Sequence, residues 1–330
     1  MHPALPGFFM AICLSFIAYI LGNYFPIVGG PIFAILLGML VAYFFSKQAE
    51  TFKVGASLVG KKFLQFAVVF LGFQMNMYQV VSVGSQTLTI MFFTLTVAFL
   101  SAWFIGKLLK IDPTTTTLIG VGTSICGASA IAATAPVIKA NDKEIAQAIS
   151  TVFLFNIAAV FVFPVIGHLL NMSDLGFGIW AGTAVNDTSS VLATGYAYSN
   201  QAGDLATIVK LTRTLMIIPI TFVLSLYISK SQNAQSTFSI TRAFPWFIGG
   251  FVLAAIVNTV NILPTTITSF LGTLGKLLII LAMAGIGLNT DIVKLLKNGF
   301  RPIILGLVCW VCLAVTSLIV QYYMGLLSVN

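Results

Sequence analysis

Nine apolar runs, separated by short polar connections, alternate along this chain. Each run is near the length of about 20 residues that an α-helix needs to cross a bilayer. The pattern predicts an all-α polytopic membrane protein that forms a single domain over residues 1–330. The runs are Phe8–Phe25, Pro31–Phe45, Phe63–Val81, Leu88–Leu109, Ile145–Leu169, Leu205–Ile228, Phe244–Ile262, Phe270–Leu288 and Pro302–Met324.

Two further stretches are apolar but carry Gly, Ser, Thr and Cys where a spanning helix would carry Leu and Ile. They are Gly120–Pro136 (GVGTSICGASAIAATAP) and Gly182–Gly195 (GTAVNDTSSVLATG). We interpret them as two copies of a discontinuous, helix-breaking element that meet near the middle of the bilayer. The alternative is a pair of Gly/Ser-rich packing helices. With the two stretches aligned, the identical pairs are Gly122/Gly182, Thr123/Thr183, Ser129/Ser189, Ala133/Ala193 and Thr134/Thr194.

A second internal similarity relates Gly60–Tyr78 to Gly275–Val293, with matches that include Gly60/Gly275 and Gly72/Gly287. In the predicted topology these two spans run in opposite directions, as in an inverted repeat, although the low identity leaves a chance match open. The first repeat would cover about residues 29–170 and the second about 175–324, in permuted order.

Composition and charge support a membrane location and set the orientation. The chain is 58% hydrophobic and 7% charged, with a mean hydropathy of +1.04. Its net charge of +8 comes from basic residues in short connections, which indicates the positive-inside rule and not nucleic-acid binding. The lysine-rich link Ser46–Lys62 is predicted to be cytoplasmic, as is the N-terminus, and the C-terminus is predicted to be external. We interpret the N-terminal run as a first span, not a removed signal peptide.

The flanks of the two polar elements favour re-entry over crossing. The first has basic residues on both sides, so both flanks belong inside; the second follows the acidic, lysine-free link Asn171–Gly176. The prediction is nine full spans plus two re-entrant elements, or eleven spans if both elements cross. Lys230 and Arg242 follow the sixth span on the inside, and Lys294, Lys297 and Arg301 make the last link cytoplasmic.

Candidate chemistry begins with Lys210 and Arg213, which share one helix face just after the second element. A buried cation is costly in a membrane, so we expect both to face a cavity, where they would attract a small anion. The alternative is that both snorkel outward. Hydroxyl groups that could complete an anion site are those of Thr123, Ser124, Ser129, Thr188, Ser189 and Ser190.

Asp187 lies in the middle of the second element, beside Asn186. An acid within the membrane is expected to couple or gate transport, or else to form a structural ion pair with Lys210 or Arg213. Nothing in the sequence favours an enzyme, a metal site or a cofactor, and the P-loop motif of ATP-driven proteins is absent. The four cysteines (Cys13, Cys126, Cys309 and Cys312) lie in apolar runs and read as buried hydrophobes.

The segments GTSICGASAIAATAPVIKA, FGIWAGTAVNDTSSVLATGYAYS and IVKLTRTLMIIP resemble the YeiH-like sulfate-exporter family of bacterial inner-membrane proteins, over essentially the whole chain. The resemblance implies a secondary transporter with crossing discontinuous helices, which exports sulfate or a related sulfur oxyanion. The site residues that it implies are Thr123, Ser124, Cys126, Gly127, Ser129, Asn186, Asp187, Thr188, Ser189, Lys210 and Arg213.

Three functions stay open at this point. The first is an anion transporter, with H⁺ or Na⁺ as a coupling ion and a homodimer as its assembly. The second is a monovalent cation–proton antiporter that uses Asp187, although paired acids on a full helix, as in the antiporters, are missing here. The third is a membrane scaffold or receptor without transport.

Overall fold

A computed structural model describes residues 4–25, 28–45, 49–215, 246–291 and 299–327. Over these ranges the regular elements are helices, and none is a strand. Six helical runs are long and apolar enough to cross a membrane, and Gly30–Phe44 and Trp246–Thr259 are shorter apolar helices. The prediction of an all-α polytopic membrane protein is confirmed.

The helices are numbered here in chain order. They are α1 (Leu5–Tyr24), α2 (Gly30–Phe44), α3 (Ala49–Leu58), α4 (Leu64–Gly72), α5 (Met77–Leu108), α6 (Pro113–Ser124), α7 (Ala128–Thr134), α8 (Asp142–Leu169), α9 (Asp174–Ala184), α10 (Thr188–Tyr198), α11 (Asn200–Leu215), α12 (Trp246–Thr259), α13 (Thr265–Leu288) and α14 (Phe300–Tyr323). A π-helical turn, Val59–Phe63, joins α3 to α4.

The predicted boundaries are wrong between α2 and α5. Residues assigned to the polar link Ser46–Lys62 are helical from Ala49 onward, and the span continues to Gly72. Lys53, Lys61 and Lys62 were misleading because they lie on the exposed side of a helix, where long cationic side chains are tolerated, and not in a loop. The predicted span Phe63–Val81 is wrong in its second half, because the Asn76 side chain caps a new helix, α5.

The predicted span Leu88–Leu109 is too short, because its helix already starts at Met77. The remaining predicted spans match helices to within a few residues at the ends that the structure describes. Residues 216–228 of the sixth predicted span lie outside the described residues, as do the first two residues of the span Phe244–Ile262. Of the residues predicted to be cytoplasmic, Lys230, Arg242, Lys294 and Lys297 also fall outside them, whereas Arg301 lies in the first turn of α14.

The inverted similarity appears as matched contacts between α3–α4 and α13, which run antiparallel. A Cβ atom added at Gly60 would lie 3.0 Å from Ile286 Cγ1, and one added at Gly275 would lie 3.3 Å from the Leu71 backbone nitrogen. The sequence alignment pairs Gly60 with Gly275 and Leu71 with Ile286. The two contacts are therefore equivalent, as the inverted repeat predicts.

The neighbouring helices α2 and α12 also make contacts that are equivalent under the inverted repeat. Gly72 of α4 lies against the Phe251 carbonyl of α12, and its counterpart Gly287 of α13 lies against the Ile35 carbonyl of α2. At these points the backbones touch, because a glycine leaves no side chain between the helices. Helices α1–α4, α12 and α13 thus form one packed group, and α10 joins it to the helices around the polar elements.

Candidate functional site

The second polar element is a re-entrant hairpin made of α9, a break at Val185–Asp187, and α10. Its two ends meet: the Ser199 hydroxyl donates to Asp174 Oδ1 at 2.5 Å. The Tyr198 ring stacks on Phe177 at a centroid distance of 3.9 Å. Since the start of α9 and the end of α10 lie at one level, the chain turns back at the break and does not cross. We call this element the second hairpin.

The first polar element, made of α6, a break at Ile125–Gly127, and α7, also turns back. A Cβ added at Gly122 of α6 would lie 2.8 Å from Ile131 Cδ1 of α7, so the two arms pack side by side. Ala135, just past α7, shares an apolar cluster with Ala148 near the start of α8. The chain thus returns toward the side from which α6 began. We call this element the first hairpin. The prediction that the chain turns back at both elements is confirmed.

The tips of the two hairpins meet halfway along α8, which runs from the open end of one to the open end of the other. Asn156 lies 14 residues into this helix, roughly 21 Å from its start. Its Oδ1 accepts from the backbone N–H groups of Asn186 (3.0 Å) and Asp187 (3.3 Å). A Cβ added at Gly127 would lie 3.5 Å from Asn156 Nδ2. The two breaks therefore lie against the same midspan residue, which hydrogen-bonds the second of them.

Arg213 of α11 is fully buried between the tips. It donates hydrogen bonds to the last carbonyls of α6 and α9, beside both breaks. Its Nε and Nη2 donate to the Ser124 carbonyl at 2.9 and 2.6 Å, and Nη2 also donates to the Thr123 carbonyl at 3.0 Å. Its Nη1 donates to the Thr183 carbonyl. Thr123 and Thr183 are an identical pair in the sequence alignment, so the guanidinium binds equivalent carbonyls of the two hairpins.

Lys210, one turn earlier on α11, repeats this arrangement. Its ammonium donates to the carbonyls of Ile125 (3.0 Å), Val185 (3.3 Å) and Asn186. Ile125 and Val185 are again aligned positions of the two elements. An ammonium has three N–H donors, and all three are engaged here.

The reason for two buried cations at this point lies in helix chemistry. α6 and α9 both end at the tips, and the last turn of any helix leaves carbonyls without intrahelical partners. Those carbonyls also carry the negative end of the helix dipole, about half an elementary charge. In hydrocarbon each unsatisfied group costs several kcal/mol. Lys210 and Arg213 supply both the missing donors and the compensating charge.

The opposite arms begin at the same tips, but the two helix starts differ. Asp187 is the N-cap of α10: its Oδ2 accepts from the backbone of Ser189 (3.0 Å) and Ser190 (3.4 Å) and from the Ser189 hydroxyl. At the aligned position the first hairpin has Gly127, with φ +66° and ψ −130°. This is a conformation that only glycine adopts without strain.

The place where the tips of the two hairpins meet is called the crossing here. One edge of the crossing is open. Ala128 and Ser129 at the start of α7 are exposed, and Asp187 and Thr188 at the start of α10 are half-buried. The Ser129 hydroxyl lies 3.0 Å from the Cys126 carbonyl and 2.9 Å from Cys126 Sγ. This edge brings a carboxylate and two hydroxyls together where a small solute could reach them.

Comparison with known proteins assigns the chain to a family. Residues 6–306 match the model described as conserved hypothetical protein 698. The chain belongs to this family. It is 50% identical to a UPF0324 membrane protein of Streptococcus pyogenes serotype M3, over 98% of both chains. It is 46% identical to one of Streptococcus agalactiae serotype V, over 97% of this chain and 98% of that one, and 45% identical to one of Fusobacterium nucleatum, over 99% and 100%. These names describe membrane proteins and mention neither transport nor sulfate.

All the predicted site residues converge on the crossing, but in different capacities. Thr123 and Ser124 contribute backbone carbonyls, and the Ser124 hydroxyl donates within its own helix. Asn186 is 1% exposed, and its side-chain oxygen has no hydrogen-bond partner in the described part of the chain. The residues that reach the open edge are Ser129, Asp187 and Thr188, while Cys126, Gly127, Ser189, Lys210 and Arg213 line the interior.

A separate polar cluster, not predicted from the sequence, lies between α10, α11 and α13. The Tyr196 hydroxyl of α10 donates to Asp204 Oδ1 of α11 at 2.5 Å. Lys276, in the middle of α13, lies over the Tyr196 ring at 5.7 Å. The cluster sits where the hairpins meet the α1–α4 and α12–α13 group. A lysine in the centre of an apolar run was a visible signal for it.

Proposed function

We propose that this protein is a secondary transporter that moves a small anion across the membrane by alternating access. The observation that carries the proposal is the crossing itself: two hairpins inserted from opposite sides, both broken at midspan and open along one edge. Irregular backbone at this depth occurs where it is buried in protein or lines a water-filled cavity. In secondary transporters, paired broken helices of this kind form the substrate site. A scaffold or receptor has no need of two broken helices in the membrane.

The charges at the crossing favour an anion over a cation. Two helix starts and two helix ends meet there, so their dipole charges, each about half a unit, cancel. What remains among the described side chains is two cations, Lys210 and Arg213, against one carboxylate, Asp187. A bound monoanion would bring the sum to zero, whereas a bound monovalent cation would double the uncompensated charge.

The anion would bind at the open edge, near the hydroxyls of Ser129 and Thr188. In the described conformation Lys210 and Arg213 bond to carbonyls, so they attract the anion through their field while holding the tips in place. The resemblance to the sulfate-exporter family suggests sulfate or a related sulfur oxyanion, whose several oxygens match a site made of hydrogen-bond donors. For a dianion such as sulfate, the charges sum to zero once Asp187 is protonated. We further propose an inner-membrane location with a cytoplasmic N-terminus and an external C-terminus.

Asp187 would couple the anion to a proton. An anion close to a carboxylate is repelled, and protonation of that carboxylate removes the repulsion. Asp187→Asn keeps the helix cap, because asparagine caps as well as aspartate does. This variant should therefore retain the fold and bind the anion with less dependence on pH.

The test is thermal unfolding of the detergent-purified protein against sulfate, sulfite, thiosulfate and phosphate, at two pH values. Binding to the folded state alone stabilises by about 2.7 kcal/mol at a hundredfold excess over Kd. One oxyanion should stabilise the wild type, and Ser129→Ala should weaken that effect without changing the stability of the unliganded protein. Ser85→Ala, on α5, is the matched control because it also loses an exposed hydroxyl that bonds three residues back.

The alternative, a cation–proton antiporter using Asp187, gives the opposite pattern. Sodium or pH alone would then change the stability, no oxyanion would act, and Asp187→Asn would abolish the effect. That result would replace the anion proposal. Stabilisation by neither class of ion would favour the scaffold or receptor function.

A further inference from the structure

A groove of about 510 Å³ opens between the second half of α5 and the start of α6. One wall is apolar and includes Phe99, Trp103 and Ile111, whereas Lys107, Lys110 and Thr116 form the polar part of its lining. Its volume is within the range of small-molecule sites, roughly 300–1,000 Å³. The groove thus has an apolar wall and a polar opening, which we call its mouth.

The floor of the groove is backbone, since glycines bring the two helices together there. A Cβ added at Gly106 of α5 would lie 2.3 Å from Thr116 Cγ2 of α6. One added at Gly120 would lie 2.9 Å from the Ala102 Cβ. The side chains therefore stand at the rim, and a long apolar group can lie along the floor between them.

The rim is positively charged. Lys107 and Lys110 are both exposed, and Lys107 Nζ lies 5.6 Å above the Trp103 ring. Asp112 is the acid nearest in sequence, but its carboxylate caps α6 by accepting from the Thr114 (2.9 Å) and Thr115 (3.1 Å) backbone. The mouth of the groove therefore favours an anionic ligand.

An unpartnered polar atom points to the same kind of ligand. Thr116 is 9% exposed and lines the groove, and its buried hydroxyl oxygen has no hydrogen-bond partner among the residues that the structure describes. Buried hydroxyls are normally bonded. In the described rotamer this oxygen lies against Gly106. A rotation about χ1 of Thr116 would turn it toward the groove, where a phosphate oxygen near the two lysines would be a suitable acceptor.

We propose that this groove binds an anionic phospholipid, with its phosphate between Lys107 and Lys110 and an acyl chain along the apolar wall. The outer wall faces hydrocarbon, because Trp103 is 63% exposed and the adjacent Phe104 is 62% exposed. Tryptophan at this position also suits the headgroup level of a bilayer. The continuity of the apolar wall with this lipid-facing surface selects a lipid over a free soluble anion.

The experiment measures thermal unfolding and lipid retention in native mass spectrometry, in detergent supplemented with phosphatidylglycerol or with phosphatidylcholine at equal mole fraction. The variant is K107Q/K110Q. The control, K139Q/K143Q, removes two exposed lysines on the same side of the molecule, and Lys139 has a left-handed backbone conformation as Lys110 does. Inorganic phosphate alone is a further arm.

Phosphatidylglycerol should stabilise the wild type and K139Q/K143Q more than phosphatidylcholine does. In K107Q/K110Q this preference should be lost, with affinity reduced about fivefold for each lysine removed. Thr116→Val, which keeps the contact with Gly106, should weaken retention less. Equal loss in K139Q/K143Q, no preference in the wild type, or stabilisation by inorganic phosphate to the same extent would each overturn the proposal.

Discussion

The second hairpin is buried along nearly its whole length, whereas the α7 arm of the first hairpin reaches an exposed surface. Yet both present equivalent carbonyls to the same two cations. Their α10 and α7 arms also differ in length, 11 residues against 7. The backbones of the two hairpins therefore have the same role, as acceptors for Lys210 and Arg213, whereas their side chains differ in role.

The difference in burial suggests that the second hairpin supports the site structurally and the first hairpin gives solute access to it. The second hairpin is tied at its open end and capped by Asp187 at its tip, so it forms a fixed wall. The first hairpin has a glycine at the aligned tip position, and the exposed Ser129 follows directly. We infer that solute reaches the crossing along the first hairpin. Variants that affect both hairpins, one tip or one open end can test this.

Arg213→Gln should have the largest effect, because it alone damages both hairpins. It leaves the carbonyls of Thr123, Ser124 and Thr183 short of charged donors inside the membrane, at a cost of at least about 3 kcal/mol. We expect loss of monodisperse protein in size-exclusion chromatography. Arg301→Gln, an exposed arginine at the start of α14, is the control. Normal behaviour of Arg213→Gln would contradict the shared role.

Asn156→Leu should loosen the second hairpin preferentially. It removes the acceptor of two buried N–H groups, those of Asn186 and Asp187, and should cost about 2 kcal/mol. Hydrogen exchange should rise at residues 185–190 and stay low at 122–126. Asn156→Asp retains the acceptor oxygen and should show far less exchange. Equal exchange in both tips would show that the hairpins move as one unit.

Gly127→Ala should affect the first tip alone. The added Cβ has room, since its nearest atom would be 3.5 Å away. The cost therefore comes from the backbone conformation, about 1–3 kcal/mol. Thermal unfolding measures it, and Ala128→Ser, exposed in the next position, should change stability by no more than about 0.5 kcal/mol. An unchanged unfolding temperature in Gly127→Ala would refute the strained tip.

Tyr198→Phe should have the smallest effect, at the open end of the second hairpin. It deletes the hydroxyl that donates to the Met172 carbonyl but keeps the ring stacked on Phe177, so about 1 kcal/mol should be lost. Tyr78→Phe is the control, because Tyr78 is 79% exposed. If both variants unfold alike, the tie at the open end does not hold the second hairpin.

The sequence identified the crossing because its two halves are similar and its residues are unusual for a membrane helix. It did not identify what Lys210 and Arg213 contact. Their partners are backbone carbonyls, which every residue has, so no residue type marks them. The bond between Ile125 and Lys210 is an example: an isoleucine gives no sign that its carbonyl accepts from an ammonium.

The failures in the first third of the chain have a different origin. Exposed lysines on a helix and lysines in a loop give the same charge pattern, so Lys53, Lys61 and Lys62 suggested a link where a helix continues. The start of α5 at Met77 depends on the cap formed by Asn76, a local hydrogen bond within an apolar run. Periodicity alone does not reveal such a boundary.

The distance along the chain between each tip and its cations has a consequence for biosynthesis. Ser124 precedes Arg213 by 89 residues, which a ribosome adds in roughly 4–18 s at 5–20 residues per second. During that interval the first hairpin has been made but its donors have not. Its carbonyls must be hydrated or shielded by the insertion machinery until α11 arrives. Because both hairpins take their donors from α11, neither should become resistant to protease on the nascent chain before that helix is made, and the first hairpin waits longer.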